Sequence, residues 1–150
     1  MPSSWTQNFY HAVFGTKGRQ AMIKPDAETR LHAIIGGILR ELGATPIAVN
    51  GMAEHVHFLA RYPAHLSHSD MLRQVKSRSS AWMHRTFPLQ SGFGWQDGYG
   101  GFTVSKSAAD SVAEYIHRQK EHHAGMSFEQ EYLELLRRHG IDCDPAEVFG

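Results

Sequence analysis

Two short runs in this 150-residue chain hold side chains whose types and spacing could do chemistry. In HVHFLARY, alternation along an extended backbone places His55 and His57 on one face, about 7 Å apart at Cα. Two neutral imidazoles can then converge on one ion. A divalent cation would still need a third protein ligand, with positions left open for water or a substrate oxygen. The chain holds 11 histidines, so a chance His-x-His pair is not rare and does not by itself define a metal site. In YIHRQKEHH, Tyr115 and Gln119 lie four residues apart and share one helical face. Taken singly, a tyrosine beside Val112 and Ile116 reads as a core residue with its hydroxyl at the rim, and a glutamine reads as solvated.

These residues need elements to hold them, and the hydrophobic pattern supplies a set. Residues 5 to 14, rich in aromatic and β-branched side chains, read as a strand with Trp5, Phe9 and Val13 on one face. A 3.6-residue apolar period from Pro25 to Leu42, with Gly43 beyond, predicts a helix whose Gly36-Gly37 pair should mark a close packing contact. The runs TPIAV and HVHFLARY read as a hairpin turning at Asn50-Gly51, the pair that best tolerates positive φ. Ser67 and Asp70 open a helix through about Arg85. GFGWQDGYGGFTVS is a glycine-rich loop leading into a strand. The same capping-box spacing at Ser107/Asp110 and Ser127/Gln130 opens helices over 108–123 and 128–139. The order β-α-β-β-α-β-α-α predicts one α+β domain over residues 1–150: an antiparallel sheet with ferredoxin-like element order and helices packed mainly on one face.

Composition narrows the classes of function. A chain of this length with 41% apolar residues can bury a core without staples. The single cysteine, Cys143, excludes an internal disulfide framework and a cysteine-based zinc site, which suits a reducing cytoplasm. Apolar runs are too short to span a membrane. Net charge is formally zero but unevenly spread: up to residue 109 there are eleven Lys and Arg against six Asp and Glu, and from 110 onward four against nine. The basic body holds two clusters suited to phosphate, Lys17 and Arg19 in the first loop and Arg73, Lys76, Arg78 and Arg85 along one helix. A solvated surface accounts for such runs equally well.

In combination these pieces are recognisable. HVH on a strand, a basic helix, WQDGYGGFTVSKS, YIHRQKEHH and SFEQEYLELLRRHGI, in that order over nearly the whole chain, resemble the HUH family of single-tyrosine transposases carried by small prokaryotic insertion sequences. The resemblance implies that Tyr115 is the attacking nucleophile and that His55, His57 and Gln119 hold Mg2+ or Mn2+. It further implies single-stranded DNA with hairpins as substrate, a 5′-phosphotyrosine intermediate, and a homodimer with active sites shared between subunits. The implied ligand set contains no carboxylate, and Glu54, beside the pair, has no evident role. A domesticated hairpin-binding relative without turnover is the alternative. A histidine-triad hydrolase is disfavoured, because the third alternating position is Leu59.

Overall fold

A computed structural model describes residues 3–90 and 92–149; Met1, Pro2, Ser91 and Gly150 lie outside the described residues. Four strands form one antiparallel sheet in the order β2-β3-β1-β4: β1 Asn8–Gly15, β2 Thr45–Met52, β3 His55–Tyr62 and β4 Gly100–Val104. The helices are α1 Pro25–Glu41, α2 His68–Thr86, α3 Ala109–His117, α4 Gln119–His122, α5 Phe128–Arg138 and α6 Pro145–Val148. The antiparallel α+β architecture is the one the pattern predicts, and no described helix is long and apolar enough to cross a membrane.

Both faces of the sheet are buried. One face, with Ala12, Phe14, Val56 and Phe58, packs on the long helices α1 and α2 through Leu31, Ile35, Leu39, Leu72 and Val75. Each such fully buried side chain contributes roughly 1.5–3 kcal/mol. The opposite face is covered by the shorter C-terminal helices, so the helices divide between the two faces. Phe9, Ala48 and Leu59 meet Ile116 of α3, while Val13 and Phe102 meet Phe128, Tyr132 and Leu135 of α5. His55 and His57 point to this second face. It is built last in the chain, from amphipathic segments whose apolar stripes need the sheet as a partner.

Three local expectations give way to other contacts. The first strand starts at Asn8, and Trp5 is 94% exposed outside it. The hairpin turns at Ala53-Glu54, because Asn50 and Gly51 are paired within the ladder, opposite His57 and Val56. Both are occupied there: Asn50 Nδ2 donates to the carbonyls of Ile116 and His117, each at 3.1 Å, and a Cβ on Gly51 would lie 2.1 Å from the His55 carbonyl oxygen. The helix expected from Ala108 begins at Ala109 without a Ser107 cap, since Ser107 Oγ pairs with Ser105 Oγ, and it breaks at Arg118. By contrast, Ser67 caps α2, and Ser127 and Gln130 close a full capping box on α5.

The Gly36-Gly37 pair marks no close contact. A Cβ on Gly37 would meet nothing within 4 Å, and one on Gly36 only the tip of Arg40 at 3.7 Å. We therefore expect Gly37→Ala to stabilise the fold by about 1 kcal/mol through helix propensity. Gly51→Ala should cost roughly 1–3 kcal/mol or more by overpacking. Urea titrations with an unchanged slope check both; a destabilised Gly37→Ala chain would mean that the helix needs the glycine.

Candidate active site

Strand alternation aims His55 and His57 off the second face, and the cross-strand neighbours shape the floor around them. Gly15 lies opposite His55, and the space left by its missing Cβ admits Phe128, whose ring stacks on the His55 imidazole at 4.2 Å and 10°. Each Nδ1 has its own partner: Glu54 Oε1 at 2.7 Å behind His55, and His11 Nε2 at 2.8 Å behind His57. Both Nε2 atoms are thereby turned inward. Glu54, without evident role in the sequence, is thus the group that orients His55, as the outer partners of metal-bound histidines do.

Tyr115 sits in the last turn of α3 and Gln119 is the first residue of α4, on either side of the break at Arg118. Asn50 holds the α3 terminus to the sheet, its Nδ2 donating to the carbonyls of Ile116 and His117. The two side chains converge nonetheless, and what they converge on is Glu131 of α5, which is 2% exposed. Its Oε2 accepts from the Tyr115 hydroxyl and, at 2.9 Å, from Gln119 Nε2. Its Oε1 lies 3.0 Å from His57 Nε2, 3.3 Å from His55 Nε2 and 3.0 Å from His123 Nε2. The amide oxygen of Gln119 faces His55 Nε2 at 2.9 Å and His123 Nε2 at 3.1 Å.

These atoms suit a divalent cation. Ligands at right angles, each about 2.1 Å from an ion, stand about 3.0 Å apart. The separations of 2.9, 3.0 and 3.3 Å among the His55, His57, Gln119 and Glu131 donor atoms are of that size. His55, His57 and Glu131 form the one His/Cys/Asp/Glu cluster of metal-site geometry among the described residues. A carboxylate therefore joins the amide and the imidazoles in one cage, where the sequence offered none.

The electrostatics follow from burial and that carboxylate. Burial acts most strongly on His55 and pushes its pKa down, but the hydrogen bonds to Glu131 and Glu54 together leave it raised. His57 is depressed to about 4, because burial outweighs Glu131 there. Burial and the neighbouring His57 also hold His11 well below the ordinary histidine value. Burial alone would raise Glu131, yet its bonds from His55, His57 and Tyr115 keep it ionised and far below the usual carboxylate range. Burial and that same carboxylate raise Tyr115 well above an ordinary phenol.

Glu131, His123 and His11 escape a reading by motif, although each left a trace. Glu131 stands within the apolar stripe Phe128, Tyr132 and Leu135, where an acid must be buried; His123 continues the four-residue spacing of Tyr115 and Gln119; His11 alternates with Phe9 and Val13. The basic residues expected to meet DNA are less free than their charge suggests. Arg19 pairs with Glu129 at 3.2 Å and donates to the Phe149 carbonyl, and Lys76 donates to the carbonyls of Gln96, Asp97 and Gly98 in the glycine-rich loop. Arg78 pairs with Glu41 at 3.1 Å and Arg73 weakly with Asp70 at 3.4 Å, while Lys17 and Arg85 are exposed. Trp95 and Phe102 are buried, which leaves Tyr99 the more exposed of the three aromatics near that loop.

Comparison with known proteins sets this geometry among relatives. Residues 4–119 match the protein family described as transposase, IS200-like. The transposase TnpA of ISDra2 from Deinococcus radiodurans is 25% identical over 117 residues, covering 75% of this chain and 84% of that one. A crystal structure of a Deinococcus radiodurans protein assigned as a transposase superposes with a TM-score of 0.64 at 23% identity, covering 79% of this chain and 95% of the other. A REP-associated tyrosine transposase bound to a REP hairpin gives 0.61 at 14% identity, covering 84% and 74%. At these identities the two structures establish a shared fold.

Because burial lowers the pKa of both His11 and His57, the unfolded chain takes up protons that the folded chain refuses once the pH falls below about 6.5. Stability should therefore decline on acidification, by up to about 1.4 kcal/mol per pH unit for each such histidine. His11→Phe should show a shallower decline than the parent chain. Urea titrations at pH 7.5 and pH 5 in chelator provide the check, and equal declines in both chains would count against a neutral His11.

Proposed function

The chain belongs to the IS200-like transposase family, and from that premise we propose that it cuts and rejoins single-stranded DNA with Tyr115 as nucleophile, beside a cation held by His55, His57, Gln119 and Glu131. The observation that carries this reading is the meeting of the phenol, both imidazoles and the amide at one buried carboxylate. A nucleophile and a ligand set within a few ångströms of each other are what phosphodiester transfer requires.

The chain's own groups have separable tasks. Glu54 and His11 orient the two histidines, and the Phe128 ring walls one side of His55. Glu131 keeps Tyr115 protonated and aimed into the site until DNA arrives. The phenol oxygen then attacks phosphorus, the bond to the 3′-oxygen breaks, and the phenol proton is released as the 3′-hydroxyl takes one up. The product is a 5′-phosphotyrosine, and attack on it by another 3′-hydroxyl reverses the chemistry at a new junction without ATP. Mg2+ or Mn2+ in the cage would neutralise charge on the phosphate during both steps. From the family resemblance we propose a homodimer with active sites shared between subunits; the groups named here are those of one chain. We place this chemistry in the cytoplasm.

For the DNA, a hairpin substrate is proposed from the relative that binds one. Arg73, with Ser77, Ser80 and Tyr99, lines a cleft between α2 and the loop before β4, and Arg85 and Lys17 are further exposed cations. Arg73→Ala or Arg85→Ala should each lower the salt dependence of DNA affinity by about one phosphate contact. Lys76→Ala should chiefly destabilise the loop whose carbonyls it binds. Titrations at several salt concentrations test this, and a slope unchanged in an Arg73/Arg85 double variant would place the DNA elsewhere.

The reaction itself is tested with labelled single-stranded DNA from the flanks of the chain's own gene, scored for a covalent protein adduct. Tyr115→Phe should abolish the adduct while leaving hairpin affinity within a few-fold. Adduct formation by the variant would overturn the assignment. Hairpin binding by the parent chain with no adduct at any divalent ion would favour a binding protein without turnover.

A further inference from the structure

Between α1 and the edge strand β2 lies a cleft that neither the charge pattern nor the motifs single out. His32, Gly36 and Arg40 line it from α1, Ile47 from β2 and His117 from the end of α3, and its volume of about 290 Å³ is ample for a phosphate group. Its walls hold no acid. The acids that flank this stretch of α1 are engaged elsewhere, Glu41 by Arg78 and Glu28 by Lys120. Arg40 is exposed, and its Nη1 lies 3.7 Å from where a Cβ on Gly36 would stand. A larger side chain at Gly36 would project under that guanidinium, so the glycine that no helix packing explains keeps the cleft open. His32 adds an unsatisfied group: its Nε2 is buried without a hydrogen-bond partner among the described residues, a deficit that folded proteins rarely leave. Burial lowers the His32 pKa to about 4, with Glu28 opposing and Lys120 assisting, so the ring is neutral and has one N–H to give. His117 stands two residues past Tyr115, and Asn50 of β2 holds its carbonyl, so the cleft and the tyrosine share one corner of the fold.

We propose that this cleft is an anion subsite that takes one backbone phosphate of the DNA strand, with Arg40 supplying the charge and the His32 and His117 rings supplying N–H donors. This rests on the DNA-cutting reading above. A phosphodiester carries one negative charge and offers only acceptors, and a guanidinium with further N–H donors and no carboxylate beside it matches both properties. The cations picked out by charge clustering are mostly less available, since Arg19, Lys76 and Arg78 already have partners within the chain.

The full-length chain with nitrogen-15-labelled histidine, titrated with single-stranded DNA from the flanks of its own gene and separately with inorganic phosphate, tests this by magnetic resonance. DNA should move the His32 ring-nitrogen resonances, and inorganic phosphate at the same phosphate concentration should move them far less. Arg40→Met should abolish that movement and lower the slope of log affinity against log salt by roughly 0.7, the share of one contact on a single strand, while Arg40→Lys should restore most of the slope. An unchanged slope in Arg40→Met overturns the subsite, and so does an equal loss in Arg40→Lys, which would mean that the guanidinium matters through packing. An equal response to inorganic phosphate makes this a site for the free anion and overturns the assignment to DNA. The His32 signal is read in the parent chain, so poor folding of a variant leaves the proposal decidable. DNA that binds and forms the covalent adduct while His32 stays unmoved refutes the subsite alone. A parent chain that binds no DNA removes the reading on which the subsite rests, and the subsite with it.

Discussion

A carboxylate buried to 2% exposure is the constraint around which the second face of the sheet is organised. Stripping water from an ionised acid costs several kcal/mol unless donors replace it. Glu131 recovers that cost only if β3 presents its histidines, α3 its tyrosine and α4 its glutamine at the same time. None of these elements has a large apolar interface of its own on this side. α4 spans four residues, and α3 meets the sheet through Ala109, Ile116 and a few partly buried neighbours. Polar convergence and apolar docking therefore reinforce one another, and the chemistry and the packing of this layer are hard to separate.

Much of the site could be read from local periodicity. Two-residue alternation put His55 and His57 on one face, because that relation follows from backbone geometry whatever surrounds it; four-residue spacing pointed Tyr115 and Gln119 to one site, and they meet there although the helix breaks between them at Arg118. The capping residues Ser67 and Ser127 were legible for the same reason. The misplaced hairpin turn shows where such reading ends. Asn50-Gly51 has turn chemistry, but a hydrogen bond to a helix 66 residues away and a close backbone approach keep the pair in the strand. Glu131 was hidden likewise, since its partners come from three separate elements and no window of sequence contains them.

The split in charge along the chain acquires a meaning once the tail is folded back. Glu129 of α5 reaches Arg19 in the first loop, and the Phe149 ring lies 4.8 Å under the same guanidinium. Lys120 pairs with Glu28 of α1. One acid of the C-terminal part, Glu129, thus neutralises a cation of the body, while Lys120 does the reverse to Glu28, so a charge count by segment does not map directly onto the surface left for a polyanion. Lys76 makes the same point, with its ammonium engaged by three carbonyls of one loop. That loop precedes β4, which is paired to β1, so whatever freedom its glycines have stops at the sheet and is not passed on to the tyrosine helix.

At Arg118 the backbone leaves the helical region, with φ −94° and ψ 20°, and a continuous rod becomes two short ones joined end to end. Had the helix run unbroken, phenol and amide would ride on a single rigid body, and any displacement of one would carry the other by the same amount. With a joint between them, the tyrosine of the proposed covalent intermediate has a backbone hinge between it and the amide. In the proposed reaction, the group assigned to the DNA and the group assigned to the ion thus ride on separate helices, joined by one residue of irregular backbone.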